Sequence, residues 1–341
     1  MSRWKPRQVA ALCVIGLAGL MSWSCGDSND ETDTGQRTPP LATAMLSPEP
    51  TPGQTPAPTP VPDPVLVGAG DISSCTQDND ELTAALIDSV VAGTGGEVVV
   101  FTAGDNVYED GTLEEYEQCY HPTWGRHRER TRPVPGNHEY HVVAANGYFT
   151  YFGAAAGDPA QGYYSYDLGA WHIIVLNTSD HCVSIPCGPG SPQEAWLRSD
   201  LESHSSLCTL AVWHDPLFSS GRVHGSKRYV QPFWDALYES GAEIVVNGHE
   251  HNYERFGPQT PVGVADPDHG IRQFVVGTGG ESHYREGESL IANSEAADDE
   301  TYGVIKLTLH SAAYDWEFIP EEGATFRDSG SGTCHDRPPS P

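Results

Sequence analysis

The sequence predicts a mixed α/β domain in which helices cover buried β-sheets. From Val65 onward, apolar runs with the character of strands alternate with amphipathic stretches, and more purely β-like runs follow. One run, Glu97 to Ala103, is continuously apolar, which is typical of a strand buried on both faces. Strand–helix alternation with additional β segments indicates mixed sheets flanked by helices.

Nine strands are expected along the domain. In chain order, they are predicted at 65–69, 97–103, 163–168, 171–177, 208–213, 243–247, 271–276, 303–309 and 312–319.

Three helices are expected between these strands. The first covers Asn79 to Ala92, with Asp78 or Asn79 as its cap. Its apolar face is predicted from a spacing of four, at Leu82, Leu86 and Val90. A third helix is expected over 230–240.

The second helix carries a start signal that can be read from the sequence. Ser191 is the expected cap, Pro192 occupies the first turn, and Glu194 is expected to complete a capping box. The apolar face of this helix comprises Trp196, Leu197 and Leu201.

Five of the strand-like runs end in residues that can bind a metal ion. In chain order these residues are Asp71, Asp105, the pair Asn137 and His138 (after RPVPG), His214, and His249 with His251. In open α/β sheets, ligands gather at the carboxyl ends of the strands. A mixed oxygen and nitrogen ligand set suits zinc, iron or manganese better than calcium. The pattern predicts a metal site at one edge of a buried sheet.

The composition is strongly acidic, with 47 Asp and Glu against 18 Lys and Arg and a formal net charge of -29. This balance argues against general nucleic-acid binding and against a polybasic membrane-binding surface. A phosphate substrate would need local positive charge, which bound metal ions can supply.

The N-terminus is typical of an exported protein. A basic head precedes an apolar stretch from Val9 to Met21, which is followed by Cys25. Cys25 in this position resembles a bacterial lipoprotein processing site, and the alternative is ordinary secretion. Residues 1–24 are therefore expected to be a signal peptide. Residues 25–64 are expected to be a Pro/Thr-rich disordered linker of up to about 120 Å.

Six cysteines remain in the mature domain, and in an exported protein an even number indicates disulfides. Six cysteines allow 15 pairings. Zinc binding is a weaker alternative, because no C-x2-C pair exists. The expected pairs are Cys182–Cys187, Cys75–Cys119 and, by what remains, Cys208–Cys334.

Three short motifs carry a family resemblance: GDNVY at 104–108, GNHE at 136–139 and GHEH at 248–251. Together they resemble the calcineurin-like metallophosphoesterase superfamily. Tyr108, three residues after Asp105, and HNYER at 251–255 indicate its purple acid phosphatase-like branch. The resemblance implies a four-layer sandwich of two mixed β-sheets flanked by helices. The catalytic domain is expected over 65–322, followed by a C-terminal tail over 323–341 that a disulfide would tether.

The same resemblance implies roles for the strand-end residues. One metal, typically Fe(III), would be bound by Asp71, Asp105, Tyr108 and His251. A second metal, typically zinc, manganese or Fe(II), would be bound by Asn137, His214 and His249, with Asp105 bridging the two. His138 would donate a proton to the leaving group. Apart from the resemblance, His224 is a candidate substrate contact, because it lies on a loop soon after a ligand strand.

The sequence departs from the family pattern at three positions. Ser73 replaces an expected glycine, Ala211 replaces a usual valine, and Asp215 follows His214 where a non-acidic residue is expected. A carboxylate at 215 is expected to affect His214 or the charge of the site.

The sequence thus favours an exported phosphomonoesterase with two metals, in which a metal-bound hydroxide attacks phosphorus. The same site could serve a phosphodiesterase or nucleotidase, and a non-catalytic metal-binding surface module is a further alternative. The expected partner is a small phosphoester, with no specific nucleic acid. Membrane contact is expected only through a lipid anchor at a bacterial cell surface.

Overall fold

The computed structural model describes residues 62–204, 206–285 and 289–337. The expected signal peptide, Cys25 and nearly all of the linker lie outside these ranges. Within them, no helix combines the length and the apolar character needed to cross a bilayer.

The strands, numbered in chain order, are β1 Val65–Ala69, β2 Ser73–Ser74, β3 Val98–Thr102, β4 Val107–Tyr108, β5 Thr131–Arg132, β6 Tyr164–Leu168, β7 Trp171–Val175, β8 Cys208–Val212, β9 Ile244–Asn247, β10 Tyr253–Phe256, β11 Arg272–Val276, β12 Ser294–Asp298, β13 Gly303–Leu309, β14 Ala313–Pro320 and β15 Asp328–Thr333. The α-helices are α1 Asn79–Gly93, α2 Leu113–Glu115, α3 Asn146–Phe152, α4 Ser179–Cys182, α5 Pro192–Ser203 and α6 Gln231–Ser240. A π-helical turn covers Tyr116–Tyr120, and 3-10 turns cover Trp124–Arg130, His138–His141, Val143–Ala145, Gly153–Ala156 and Arg228–Val230.

The strands form two large mixed sheets. The first has the order β15-β14-β13-β1-β3-β5, and the second has the order β12-β10-β11-β9-β8-β7-β6. Strands β1, β3 and β5 run parallel in the first sheet, and β7, β8, β9 and β11 run parallel in the second. The second sheet therefore has a parallel centre flanked by antiparallel strands. In the first sheet the parallel strands form one half, which ends at the edge strand β5, and the antiparallel strands form the other half.

Alternation along the strands of the second sheet divides its side chains between two cores. Ile173 and Leu210 pack in the same core as Leu66 of the first sheet. Their neighbours Ile174 and Ala211 face the other way and pack with α5 and α6. Helix α1 packs into the core of the first sheet. The predicted arrangement of two mixed sheets flanked by helices is confirmed.

Helix α1 differs from expectation in its cap and in its buried face. Neither Asp78 nor Asn79 caps the helix through its side chain, and Asn79 instead donates to Gln77 Oε1 and the Gly280 carbonyl. The predicted face is correct only in part, because Val90 is buried and Leu86 packs against the core, whereas Leu82 is 44% exposed. The helix buries Asp80, Thr83, Ala84, Ile87 and Val90.

The start of helix α5 matches the prediction only in part. The Ser191 hydroxyl accepts the Glu194 N–H at 3.2 Å, as expected of a cap. The Glu194 carboxylate, however, accepts the N–H of Gly190 at 2.9 Å rather than that of Ser191. The expected capping box is therefore displaced by one residue.

The RPVPG run was wrongly predicted to be strand-like throughout. Only Thr131–Arg132 pairs with the sheet. Pro133 and Pro135 have no N–H to continue the ladder. Asn137 and His138 consequently reach the sheet edge on a loop.

The predicted disulfide pairing is confirmed. Cys75–Cys119, Cys182–Cys187 and Cys208–Cys334 are joined, with Cα–Cα distances of 5.2, 5.4 and 5.4 Å. The last of these bonds connects β8 to the segment that follows β15. Strand β15 pairs along β14, so the expected C-terminal tail includes the edge strand of the first sheet.

A buried carboxylate directly before β9 should make the free energy of unfolding depend on pH. Glu243 is 2% exposed, and it accepts N–H groups from Thr209 and His335. Burial raises its pKa from 4.5 to about 8. Because the folded state then holds a proton that the unfolded state releases, the contribution of Glu243 to stability is greatest below pH 4.5 and is lost as pH rises towards 8.

We expect Glu243→Gln to remove this loss, since glutamine keeps an oxygen acceptor and cannot ionise. The variant should be more stable than the wild type at pH 8 by on the order of a few kcal/mol, and the difference should vanish near pH 4.5. Denaturant unfolding of both proteins at several pH values measures this effect. Glu202→Gln, at an exposed position of α5, is the matched control. Parallel pH profiles for wild type and Glu243→Gln would contradict the prediction.

Candidate metal centre

The candidate ligands follow the carboxyl ends of the parallel strands. Asp71 follows β1, Asp105 follows β3, His214 follows β8 and His249 follows β9. Asp71, Asp105 and His249 have positive φ angles of 58°, 48° and 73°. This backbone region costs a non-glycine residue about 1–2 kcal/mol and is typically retained at functional sites.

The first group of ligand atoms centres on Tyr108. Its hydroxyl oxygen lies 2.9 Å from Asp71 Oδ1, 3.2 Å from Asp105 Oδ2 and 3.1 Å from His251 Nε2. His251 Nε2 lies 3.3 Å from Asp71 Oδ1. We call these four residues the tyrosine group. All four are buried.

The second group of ligand atoms centres on His214. Its Nε2 atom lies 3.2 Å from Asp105 Oδ2, 3.1 Å from Asn137 Oδ1 and 3.1 Å from His249 Nδ1. We call these four residues the histidine group. The same Asp105 oxygen belongs to both groups, so Asp105 occupies the position that a bridging ligand requires.

Backbone carbonyls fix the ring orientation of two of these histidines. His214 Nδ1 lies 2.8 Å from the Ala103 carbonyl oxygen, and His251 Nδ1 lies 2.5 Å from that of Ser282. A carbonyl can only accept, so each Nδ1 carries a proton. The Nε2 atom of each ring is therefore the one that faces the ligand group and would bind a metal.

Glycines allow the backbone to approach the carboxylates closely. A Cβ atom at Gly136 would lie 2.2 Å from Asp105 Oδ1, and one at Gly248 would lie 2.6 Å from Asp71 Oδ2. Neither position can accept a side chain without moving the ligand. The glycines of the GNHE and GHEH motifs are thus explained by the packing around the two aspartates.

The electrostatics of the centre favour cations. In the described part of the chain, neither Asp71 nor Asp105 forms an ion pair with lysine or arginine. Burial and the two aspartates hold the pKa of the Tyr108 phenol well above its usual value. Burial alone would lower the pKa of His214, but Asp105 and other nearby carboxylates raise it to about 10. Buried carboxylates in this number require positive charge, and the donor set fits two cations.

His138 lies beside the ligand groups without joining them. Its Nε2 atom is 4.0 Å from Asp105 Oδ2, and its side chain is 18% exposed. Its Nδ1 atom lies 2.6 Å from the Glu109 carbonyl oxygen and therefore carries a proton. Nε2 is therefore the ring nitrogen that faces the ligand groups.

A histidine and a tyrosine stack on two of the candidate ligands. The His224 ring stacks on His249 with centroids 4.1 Å apart, and the Tyr284 ring stacks on His251 at 3.9 Å. Burial, with Lys227 and His251 nearby, lowers the pKa of His224 to about 4. His224 was expected near the substrate, whereas Tyr284 has no motif that indicates it.

Two buried glutamates organise the loops around the ligands. Glu139 accepts N–H groups from Asp105, Asn106 and Gly136, and the hydroxyl of Tyr116. Glu250 accepts N–H groups from Val223, His224 and Gly225. Sequence reasoning missed both functions, although each glutamate lies inside a recognised motif.

Two of the three departures from the family pattern lie outside the ligand groups. The Ser73 hydroxyl hydrogen bonds to Asp80 at the start of α1. Ala211 is buried in the core that faces α5 and α6. Neither contacts a candidate ligand atom. Asp215, in contrast, lies 3.4 Å from His249.

A family model described as calcineurin-like phosphoesterase matches residues 66–253, which is more than half of the 341-residue chain. The chain belongs to the calcineurin-like phosphoesterase family. The family that the three motifs predicted is confirmed, and the match spans every candidate ligand.

Purple acid phosphatases are among the relatives of this family member. Purple acid phosphatase 15 of Arabidopsis thaliana is 31% identical over 159 residues, covering 40% of this chain and 29% of the relative. Purple acid phosphatase 1 of Ipomoea batatas is 28% identical over 212 residues, covering 54% and 41%. The chain spans less than half the length of these curated relatives.

A solved structure shares the fold. The purple acid phosphatase from seeds of yellow lupin (Lupinus luteus) aligns with a TM-score of 0.69 at 18% identity. The alignment covers 82% of this chain and 55% of that protein. At this identity the likeness establishes the metallophosphoesterase fold, and the activity must be argued from the site.

Proposed function

We propose that this chain is an exported hydrolase that uses two metal ions to cleave phosphomonoesters. The observation that carries the proposal is the pair of ligand groups that share Asp105 Oδ2. Asp71, Tyr108 and His251 would hold the first ion, and Asn137, His214 and His249 would hold the second. The family and its purple acid phosphatase relatives support the same assignment.

Two ions at this centre would supply positive charge for the phosphate group and would lower the pKa of a coordinated water. This supply of charge matters in a chain of net charge -29, whose surface otherwise repels anions. A phenol beside a trivalent ion ionises easily, which favours Fe(III) in the tyrosine group. Zinc, manganese or Fe(II) fits the histidine group.

The protein's own residues would orient the substrate and move one proton. In its doubly protonated form, His138 would donate its Nε2 proton to the departing alkoxide and keep Nδ1–H on the Glu109 carbonyl. His224 and Tyr284 stack on the candidate ligands His249 and His251, and both would contact the ester. Glu139 and Glu250 keep the loops in place by accepting their backbone N–H groups. Fixed positions of this kind lower the cost of reaching the transition state.

Export is proposed from two features. Three disulfides form in the described chain, and such bonds persist in oxidising compartments. The predicted signal peptide and Cys25 would deliver the domain to the outside of a cell, with the linker as a stalk. Lipidation of Cys25 is part of this proposal.

Metal content and colour test the proposal. Purified full-length protein should contain about two metal ions per chain and hydrolyse p-nitrophenyl phosphate. With Fe(III) in the tyrosine group, it should show a purple phenolate-to-iron absorption band. Tyr108→Phe should abolish that band, because the phenolate oxygen is lost. Elemental analysis and a visible spectrum measure both expectations.

Tyr284→Phe is the matched control for this experiment. Its ring stacks on His251, but its hydroxyl belongs to neither ligand group, so the band should persist. Colourless protein that is active with zinc or manganese alone would contradict iron in the tyrosine group. Metal-loaded protein that cleaves neither monoesters nor diesters would contradict the enzyme and favour a binding module.

A further inference from the structure

His249 is oriented differently from the other two candidate histidine ligands. His214 and His251 each face the ligand groups with Nε2 and donate Nδ1–H to a backbone carbonyl. His249 instead faces the histidine group with Nδ1, which lies 3.1 Å from His214 Nε2. Its Nε2 atom therefore points away from the centre, where it is buried and has no hydrogen-bond partner among the described residues.

Asp215 lies where that Nε2 atom points. Its Oδ1 atom is 3.4 Å from His249 Nε2, and the two side chains are 1% and 2% exposed. Asp215 is also one of the three departures from the family pattern, which has a non-acidic residue after this histidine. The contact offers a physical reason for an acidic residue at this position.

Neighbouring groups hold the Asp215 carboxylate in place. The Tyr229 hydroxyl donates to Oδ1 at 2.7 Å, and His181 Nδ1 lies 3.3 Å from the same atom. The Asp215 N–H donates to the Thr178 hydroxyl at 3.2 Å. Within the described ranges, no lysine or arginine pairs with Asp215 and its Oδ2 atom has no hydrogen-bond partner. The carboxylate therefore has an unused acceptor atom, Oδ2, in addition to Oδ1, the atom nearest to His249 Nε2.

We propose that Asp215 is a positioning residue that accepts the Nε2–H of His249. A proton held on Nε2 leaves Nδ1 unprotonated and directed at the second metal position. Carboxylates behind metal-binding histidines fix the tautomer and raise the basicity of the ligand, and their loss typically lowers metal affinity 10–100-fold. The inference rests on the proposed function, because it takes His249 as a metal ligand.

A different use of the same residues is the main alternative. Atoms of His181, Asp215 and His249 lie within 4.8 Å of one another, a spacing compatible with a metal ion of their own. That ion would require His249 to give both ring nitrogens to metals and to lose both protons. This cost does not arise when His249 keeps its Nε2 proton and donates it to Asp215. The positioning function is therefore favoured.

Zinc titration of chelator-treated full-length protein tests the inference. Calorimetry should find two sites in the wild type, one of which weakens 10–100-fold in Asp215→Asn. His249→Ala should lose the same site. Tyr229→Phe, which removes one donor to Asp215, should weaken it to a smaller extent and remains informative if Asp215→Asn does not fold. Asp200→Asn is the matched control, because Asp200 contacts His172 at 2.7 Å away from the centre.

Proton NMR of the zinc-loaded protein gives a second readout. The His249 Nε2–H should appear as a slowly exchanging downfield resonance that His249→Ala removes. Asp215→Asn should shift it upfield or broaden it, which a merely structural change elsewhere would not do.

The outcomes separate this inference from the proposed function. A wild type that binds no zinc contradicts the metal centre itself. Two intact sites in Asp215→Asn, with His249→Ala losing one, overturn only the inference. A third zinc site that disappears in Asp215→Asn would also overturn it, because Asp215 would then be a ligand.

Discussion

Asp105→Ala should lower the rate of phosphoester hydrolysis by at least about 10³-fold. Losses of this order follow the removal of a group that stabilises charge in the transition state. Asp105 Oδ2 lies 3.2 Å from both Tyr108 Oη and His214 Nε2, so one substitution removes a ligand from both groups. No other carboxylate oxygen belongs to both. The measurement is kcat/KM for p-nitrophenyl phosphate after metal reconstitution, together with metal content per chain.

The design of this experiment must separate lost ligation from lost structure. Asp105 Oδ1 accepts the His138 N–H at 2.9 Å, which alanine also abolishes. Asp105→Asn retains an acceptor for that bond and loses only the charge, so it should be nearly as inactive. Asp110→Ala is the matched control, since Asp110 is an exposed carboxylate just beyond β4 whose ion-pair partner among the described residues is His141. Substantial activity in Asp105→Ala, with the fold intact, would contradict the mechanism.

The clustering of the candidate ligands could be predicted from the sequence where metal-binding residue types stand at strand ends. Asp71, Asp105, His214 and His249 each follow a buried apolar strand, and parallel pairing brings those ends together. Tyr108 could be found only through the motif that contains it. Its position depends on the pairing of β4 with β2, in which Tyr108 lies opposite Ser74. No local sequence pattern predicts that contact.

The features that the sequence did not reveal depend on contacts distant in the chain. Tyr284 stacks on His251 from 33 positions away, and its own neighbourhood carries no signal for a site. Glu250 was recognised as part of a motif, but its contacts with the 223–225 loop require the fold. Leu82 of α1 was wrongly expected to be buried for a related reason. Spacing shows which side chains share a face, whereas the packing partner decides which face is buried.

His138→Gln should give the second large effect, and its size should depend on the leaving group. If His138 donates the proton, an alkyl phosphate such as glycerol phosphate should lose about 10²–10⁴-fold in kcat/KM. p-Nitrophenyl phosphate should lose far less, because p-nitrophenolate departs readily without a proton. The ratio of the two rates is the quantity to measure, since an error in metal loading changes both rates equally.

His141→Gln provides the comparison that makes the assignment specific. His141 lies 4.6 Å from His138 between ring centroids, and its Nδ1 faces the same Glu109 carbonyl oxygen at 3.1 Å. It is more exposed and makes no contact with Asp105, whereas His138 Nε2 is 4.0 Å from Asp105 Oδ2. The leaving-group ratio should therefore change in His138→Gln and stay unchanged in His141→Gln. Equal losses on both substrates in His138→Gln would make it a positioning residue, and a changed ratio only in His141→Gln would transfer the proton donor to His141.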